Sequence, residues 1–270
     1  MQAHYVDPAD GASYPLERAL WRSPAGGYLN LSPGAGLARG DIDSACNSLW
    51  RYAGALRVPR TAAVSMGEGW TPLTALEWDG LPLRAKLDFM MPTGSFKDRG
   101  MTVMVSYLKG CGITRVLEDS SGNAGASLAA YAAAAGIEAR ILVPETASYP
   151  KIAQMAATGA DVVTIPGTRQ DVADAAAAMS EEIFYASHNW QAFFAEGTKT
   201  LAYELWEQLG FRAPDNVVVP LGYGANVLGC DHGFHELEAR GEVGRMPRIF
   251  GVQAANCAPY FSAFASGGES

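Results

Sequence analysis

Beyond residue 115 the chain alternates short apolar runs with helix-forming stretches, and this rhythm limits the available architectures more than any other feature. Strands are expected at 115–118, 139–143, 161–165, 183–186, 216–219 and 248–252. Helices are expected at 150–158, 169–182, 198–209 and 225–240, with an alanine-rich helix that ends at Gly136. Strands separated by helices of about ten to fifteen residues require parallel pairing through right-handed crossovers. The predicted fold class is therefore α/β. Upstream, 83–87 alternates as a short strand, a helix follows at 100–109, and 43–52 reads as a short capped helix.

Composition narrows the function. With 49% hydrophobic and 18% charged residues in 270, the chain can bury an ordinary core in one domain or two. Its 20 basic and 28 acidic residues include no basic cluster, which argues against a nucleic-acid partner, because that affinity rests on clustered Lys and Arg. Cys46, Cys111, Cys230 and Cys257 stand far apart, signal neither a disulfide framework nor a zinc site, and read as buried small side chains in a reducing cytosol. No signal sequence and no long uncharged apolar run appears, so neither secretion nor a membrane span is expected.

Three stretches carry the chemistry. Between Met91 and Gly100 one lysine follows a Pro/Gly turn and precedes the apolar run 101–105, which makes Lys97 a first-turn helix residue at the lip of a core. A lysine partly removed from water is more easily neutral, and the neutral amine attacks aldehydes and takes protons from carbon. The plain alternative is a surface lysine paired with Asp88 or Asp98. Ser120-Ser121-Gly122-Asn123 lies between a strand and a helix N-terminus, where unpaired amides favour an anion such as an amino-acid carboxylate; the alternative is a simple helix cap. Pro220 to Gly229 follows an apolar strand and opens a helix, the placement of a phosphate cradle. It is not a dinucleotide fingerprint, because Val227 stands where the third glycine belongs.

Competing signatures are incomplete. Lys97 lacks the upstream glycine of a Walker A loop, and S-x-x-K at 106–109 lacks its companion elements. His232, His235 and Glu236, beside Asp231, make at most a partial metal site and read as a solvated helix face, so no metal is expected.

The run P-T-G-S-F-K-D-R-G resembles the cofactor-lysine motif of threonine synthases, within the tryptophan-synthase-β-like, fold-type II family of pyridoxal phosphate (PLP) enzymes. G-E-G-W-T-P-L at 67–73, S-S-G-N-A-G at 120–125 and E-G-T-K-T at 196–200 resemble further runs of that family, and the likeness extends from about Tyr14 to Pro259. The resemblance implies two three-layer α/β/α domains with mainly parallel sheets and PLP in the cleft between them. It assigns 36–100 and 193–270 to a large domain and 101–192 to a small one. It implies that Lys97 joins the cofactor covalently and then acts as base at the substrate Cα. Ser121 and Asn123 would hold the substrate, with Asn123 also bonded to the cofactor's phenolic oxygen. Gly222, Gly224, Ala225 and Asn226 would bind the cofactor phosphate, and Lys199 the substrate.

The activity so implied is a lyase that converts O-phospho-L-homoserine and water to L-threonine and phosphate, with a small-molecule substrate, a cytoplasmic location and room for a homodimer. Alternatives are a serine/threonine dehydratase, a cysteate-synthase-like β-replacement enzyme, or a PLP-fold protein without catalysis. Two departures stand out: Met91 replaces a frequent Asn, and Phe194 replaces an Arg that serves the substrate phosphate in several threonine synthases. Lys199, Arg99 or Lys151 is then expected to supply that charge. Residues 1–35 resemble a zinc ribbon whose cysteines have become Asp7, Asp10, Ser23 and Gly26, and they read as a strand-turn lid or interface segment. The family usually continues for roughly a hundred further residues, filling out a domain of usual size and supplying a Ser or Thr to the pyridine nitrogen. The expectation is a truncated or decayed relative that binds PLP loosely and turns over poorly.

Overall fold

Glycine and proline divide the first thirty residues into short strands. β1 (His4–Val6) pairs antiparallel with β2 (Ser13–Pro15) on one side and β3 (Asn30–Leu31) on the other. At the two turns of the ribbon-like segment, Asp7 Oδ1 accepts the Ala9 amide at 2.9 Å and Ser23 Oγ accepts the Gly27 amide at 3.0 Å. Both side chains are buried, so hydrogen bonds close turns that thiolates and zinc would otherwise close. The computed structural model describes residues 2–267; Met1 and 268–270, the last residues of the expected large domain, lie outside the described part.

The helix expected at 43–52 forms later, as a 3-10 segment at Leu49–Ala55 capped by Ser48, because the Asp43 carboxylate accepts the Ala45 amide and makes a turn of its own. β4 (Leu73–Trp78) and β5 (Leu81–Lys86) then form an antiparallel hairpin. Only its second strand was legible from alternation. The missed signal is Asp79-Gly80, a two-residue turn with φ of 48° and 76°, the conformation that Asp-Gly favours between paired strands.

The remaining elements follow the expected alternation. α1 (Lys97–Gly110), β6 (Arg115–Glu118), α2 (Asn123–Ala135), β7 (Glu138–Pro144), α3 (Tyr149–Ala156), β8 (Asp161–Ile165), α4 (Arg169–Met179) and β9 (Phe184–Tyr185) build a parallel sheet of order β8-β7-β6-β9. α6 (Thr200–Gln208) is the helix expected at 198–209, and α5 (Ala192–Thr198), which was not expected, precedes it with a break at Lys199. The break has a cause: Thr198 and Thr200 donate their hydroxyls back to the Phe194 and Gly197 carbonyls at 2.9 and 2.7 Å, which bends a helix. β10 (Asn216–Pro220), α7 (Ala225–Ala239), β11 (Arg248–Val252) and α8 (Pro259–Ser266) complete the order, with β10 and β11 parallel. The architecture is α/β. Among the described residues no helix is long and apolar enough to cross a membrane.

One core joins Tyr5, Leu29 and Trp50 to α1, α2, β7 and the Phe193–Phe194 pair; a second joins α6, β10 and α7. α1 and α5 touch so closely that a Cβ on Gly197 would lie 2.0 Å from the Arg99 carbonyl oxygen. Between α1 and α6 lies an ionic network centred on two fully buried residues, Arg99 and Glu204. Arg99 donates Nε and Nη2 to Asp88 at 2.8 Å each, and Nη1 and Nη2 to Glu204 at 2.6 and 2.9 Å. Lys86 Nζ adds a 2.6 Å contact to Glu204. Burial pushes the Glu204 carboxyl up, but Arg99 and Lys86 outweigh it and hold the group down at about 2.

Replacing Glu204 by Ala leaves Arg99 buried with half its partners gone, and chemical denaturation of Glu204→Ala should show a loss of about 3–5 kcal/mol. The Glu204 contribution is fully present above the ordinary glutamate range and is lost as pH falls through about 2. A loss under about 1 kcal/mol, the range of an exposed pair, would show that the network does not fasten α1 to α6.

Candidate active site

Lys97 opens α1, and its Nζ makes no hydrogen bond or ion pair among the described residues. The carboxylates that would have made it an ordinary surface lysine are engaged elsewhere: Asp88 holds Arg99, and Asp98 accepts from the Thr93 amide at 2.8 Å and from Ser127 Oγ at 2.5 Å. The ammonium instead lies 4.5 Å from the Phe96 ring centre and 5.5 Å from that of Phe194. Burial lowers its pKa to about 8, against a smaller opposing effect of Glu118, so a substantial fraction is neutral amine near neutrality. Met91, the departure in this motif, is buried and accepts the Gly69 amide on its sulfur at 3.1 Å.

The 120–123 loop joins β6 to α2. Its helix has Gly122 at the N-cap and no side-chain cap, so the first-turn amides are open to an anion rather than spent on a serine or asparagine. Ser120 Oγ accepts the Gly122 amide at 3.3 Å, and no hydrogen bond of the Ser121 side chain occurs among the described residues. The Asn123 side chain has a different partner: its Oδ1 accepts from Lys151 Nζ at 2.7 Å. Lys151, on α3, also donates to Gln154 at 3.1 Å, and Gln154 reaches the Thr93 carbonyl at 3.2 Å. α3 thereby ties the Asn123 loop to the lysine turn.

The 220–226 loop leads from β10 into α7. Gly224 is the N-cap at φ 92°, a left-handed conformation that favours glycine, and it offers no side-chain cap. Nothing lies within 4 Å of where a Gly222 Cβ would project, and Asn226 Oδ1 is buried without a partner. Asn226 shares a cavity of about 1000 Å³ with Ser95, Phe96, Phe89 and Val219, so the lysine turn and this loop face one space. Two uncapped helix N-termini, an amine free of carboxylates and an orphaned asparagine oxygen fit a ligand that carries both a phosphate and an aldehyde, as PLP does.

Lys199 lies elsewhere. It is buried, donating to the Ala55 carbonyl at 3.0 Å and paired with Glu196 and Glu236 at 2.9 Å each, beside a second cavity of about 600 Å³. Its charge is consumed by two carboxylates. Glu236 also accepts from Tyr203, so of the face expected to be solvated His232 and His235 are exposed while Glu236 turns to buried partners. Arg99 is likewise saturated by Asp88 and Glu204. Of the three cations expected to serve a substrate phosphate, Lys151 alone touches a site residue and has no carboxylate partner among the described residues. Of the cysteines read as buried, Cys46 and Cys230 are, Cys111 is partly so, and Cys257 is exposed.

Sequence reasoning missed two residues. Glu118 closes β6 and His188 follows β9, so both sit at the carboxyl ends of adjacent parallel strands, where open α/β sheets place their ligands. His188 Nδ1 lies 3.1 Å from Glu118 Oε1, and its backbone amide donates to Oε2 at 3.2 Å. The available signal was polar residues ending two apolar strands.

Comparison with known proteins bears on the family and the fold. Residues 64–269 match the family described as pyridoxal-phosphate dependent enzyme. The chain is 35% identical to a threonine synthase of Methanosarcina acetivorans, over 95% of this chain and 66% of that protein. It is 38% identical to a threonine synthase of Methanocaldococcus jannaschii, over 80% of this chain and 55% of that protein. It thus spans between about half and two thirds of the curated relatives it matches. A solved T.th. threonine deaminase superposes with a TM-score of 0.64 at 27% identity, covering 74% of this chain and 64% of that one. With a family match over most of its length and the fold and site to accompany it, the chain belongs to the pyridoxal-phosphate dependent enzymes of fold-type II, whose cofactor is PLP.

Proposed function

We propose that this chain is a lyase of the threonine synthase type, acting on O-phospho-L-homoserine and water to give L-threonine and phosphate. The observation that carries the reading is Lys151, a cation without a carboxylate partner among the described residues, 2.7 Å from Asn123. A phosphate group needs such a partner. Bound PLP supplies the electron sink that makes a Cα proton removable. The chain supplies the rest. The 222–226 loop and the α7 amides hold the cofactor's phosphate; Ser121 and the α2 amides hold the substrate carboxylate. Lys97 would hold the cofactor, and its amine, more easily neutral because burial lowers its pKa, would take the Cα proton. Lys151 then orients the departing phosphate. We further propose the large and small domains at 36–100 with 193–270 and at 101–192, a homodimer, and a cytosolic location, which suits the exposed thiol of Cys257.

A second reading, a serine/threonine dehydratase, is favoured by Phe194. That side chain is 1% exposed and sits where a Cβ on Gly100 would approach it to 2.4 Å, so it brings no charge to the site.

Two measurements test these assignments. After loading with PLP and reduction by borohydride, peptide mapping should find the pyridoxyl group on Lys97, and the loading rate should rise with pH around an inflection near 8. A label on Lys109 or Lys199 would displace the site. Lys151→Gln should raise KM for O-phospho-L-homoserine by about 10- to 100-fold, since a hydrogen bond to a charged group contributes about 1.5–3 kcal/mol. If the unmodified chain deaminates serine or threonine faster than it releases phosphate at equal concentration, the dehydratase reading replaces the first.

A further inference from the structure

Proton transfer at Cα occupies Lys97, but adding water at Cβ needs a second group that accepts a proton, and the cleft holds one. Glu118 is wholly buried at the carboxyl end of β6, with both oxygens engaged by His188: Oε1 by the ring nitrogen at 3.1 Å, Oε2 by the backbone amide at 3.2 Å. Two contacts to one residue fix the ring. His188 meets the Phe194 ring edge-on at 5.6 Å, and Lys97 Nζ lies 5.5 Å from the centre of the same ring, so the amine and the imidazole both neighbour Phe194. His188 Nε2 makes no hydrogen bond among the described residues, and the side chain keeps 9% exposure. A nearly buried imidazole with one nitrogen fixed by a carboxylate and the other free is the arrangement that hands protons in many active sites.

We propose that His188 is the proton acceptor for the incoming water and that Glu118 is the positioning residue that fixes its tautomer. The inference rests on the replacement reading above. Before the step, the phosphate leaves with the electron pair of its Cγ–O bond, a Cβ–H pair forms the Cβ=Cγ bond in its place, and the Cβ proton is returned at Cγ, so the Cα pair left by deprotonation becomes a Cα=Cβ bond. The water oxygen then forms a bond to Cβ while one of its O–H bonds breaks and the Cα=Cβ π pair moves to Cα, where Lys97 returns the proton it took. The water proton passes to the free lone pair on Nε2, while Nδ1–H stays bonded to Glu118, and the imidazole returns that proton to solvent. The charged and titratable groups facing Glu118 are His188 after β9, Tyr185 on β9, Asp119 just after β6 and Lys97 on α1. Burial raises the Glu118 carboxyl above the ordinary glutamate range, and the contacts to His188 oppose that rise.

Partition of products is the decisive measurement, because a merely structural role would slow all outcomes together. With O-phospho-L-homoserine, an enzyme that eliminates phosphate but adds water poorly releases an unsaturated amino acid, which breaks down to 2-oxobutanoate and ammonia. His188→Gln should cut the ratio of threonine to 2-oxobutanoate at least tenfold while exchange of the Cα proton into deuterated water persists. Glu118→Gln should shift the ratio the same way, by less. An unchanged ratio in both variants overturns the proposal, as does equal loss of exchange and turnover. If the unmodified chain releases no phosphate, the replacement reading itself fails. The pairing is then judged on the protein alone, by the titration of Lys97 carrying a carbon-13 methyl label: it should move below about 8 in Glu118→Gln, and an unmoved titration overturns the placement of Glu118 beside the amine.

Discussion

The structure depends on Arg99. This side chain is wholly buried two residues after Lys97 and meets two carboxylates, Asp88 just upstream of the lysine turn and Glu204 on α6. An unpaired guanidinium there would be very costly, so the fold accepts Arg99 only with α1, the 88–90 turn and α6 in one arrangement. That arrangement sets where α1 begins, and Lys97 is its first residue. Gly197 adds a steric condition from α5 at the same level. The position of the reactive amine therefore follows from an ionic constraint and a packing constraint that both act one helical turn away from it.

The contrast among the cations explains how one amine becomes reactive. Arg99 and Lys199 are buried and Lys86 is half-buried, and each faces carboxylates at hydrogen-bond distance. Lys97 is half-buried with no carboxylate at that distance, so Glu118 offsets its desolvation only in part and the ammonium form is less favoured. The difference lies in what neighbours leave free. Asp98, adjacent in sequence, turns to Thr93 and Ser127 and so fastens α1 to α2 instead of neutralising the lysine. Removing those hydroxyls would release a carboxylate next to the amine, which is why Thr93 and Ser127 bear on its reactivity without touching it.

Much of this was legible in the residues. The parallel sheet followed from alternation, the αL cap at Gly136 from its glycine, and the start of α1 from the Pro/Gly turn before Lys97. Partner choice was not legible. Lys199 stands in a motif that suggests substrate contact, yet Glu236, 37 positions away, takes its charge. Glu118 and His188 are 70 positions apart and meet only because β6 and β9 are neighbours in the sheet, a pairing that local pattern cannot supply. Lys151 was one of three equivalent cations in the sequence; the contacts of the other two separate it from them. The 3-10 segment and the break at Lys199 went unread because hydroxyl groups competing for backbone partners decide them, and their geometry depends on neighbours.

The two walls of the cleft are supported differently. The lysine turn and the Asn123 loop stand on the larger core, fastened by Arg99, Ser127 and Gln154. The 220–226 loop hangs on β10, whose inward residues Val217 and Val219 are buried while Val218 is 67% exposed; Phe250 and Val252 on β11 are open as well. Parallel strands as apolar as these are usually covered on both faces. Packing therefore backs the proposed phosphate cradle from one side only, whereas the lysine turn is held by buried side chains on both of its flanks, Arg99 toward α6 and Asp98 toward α2.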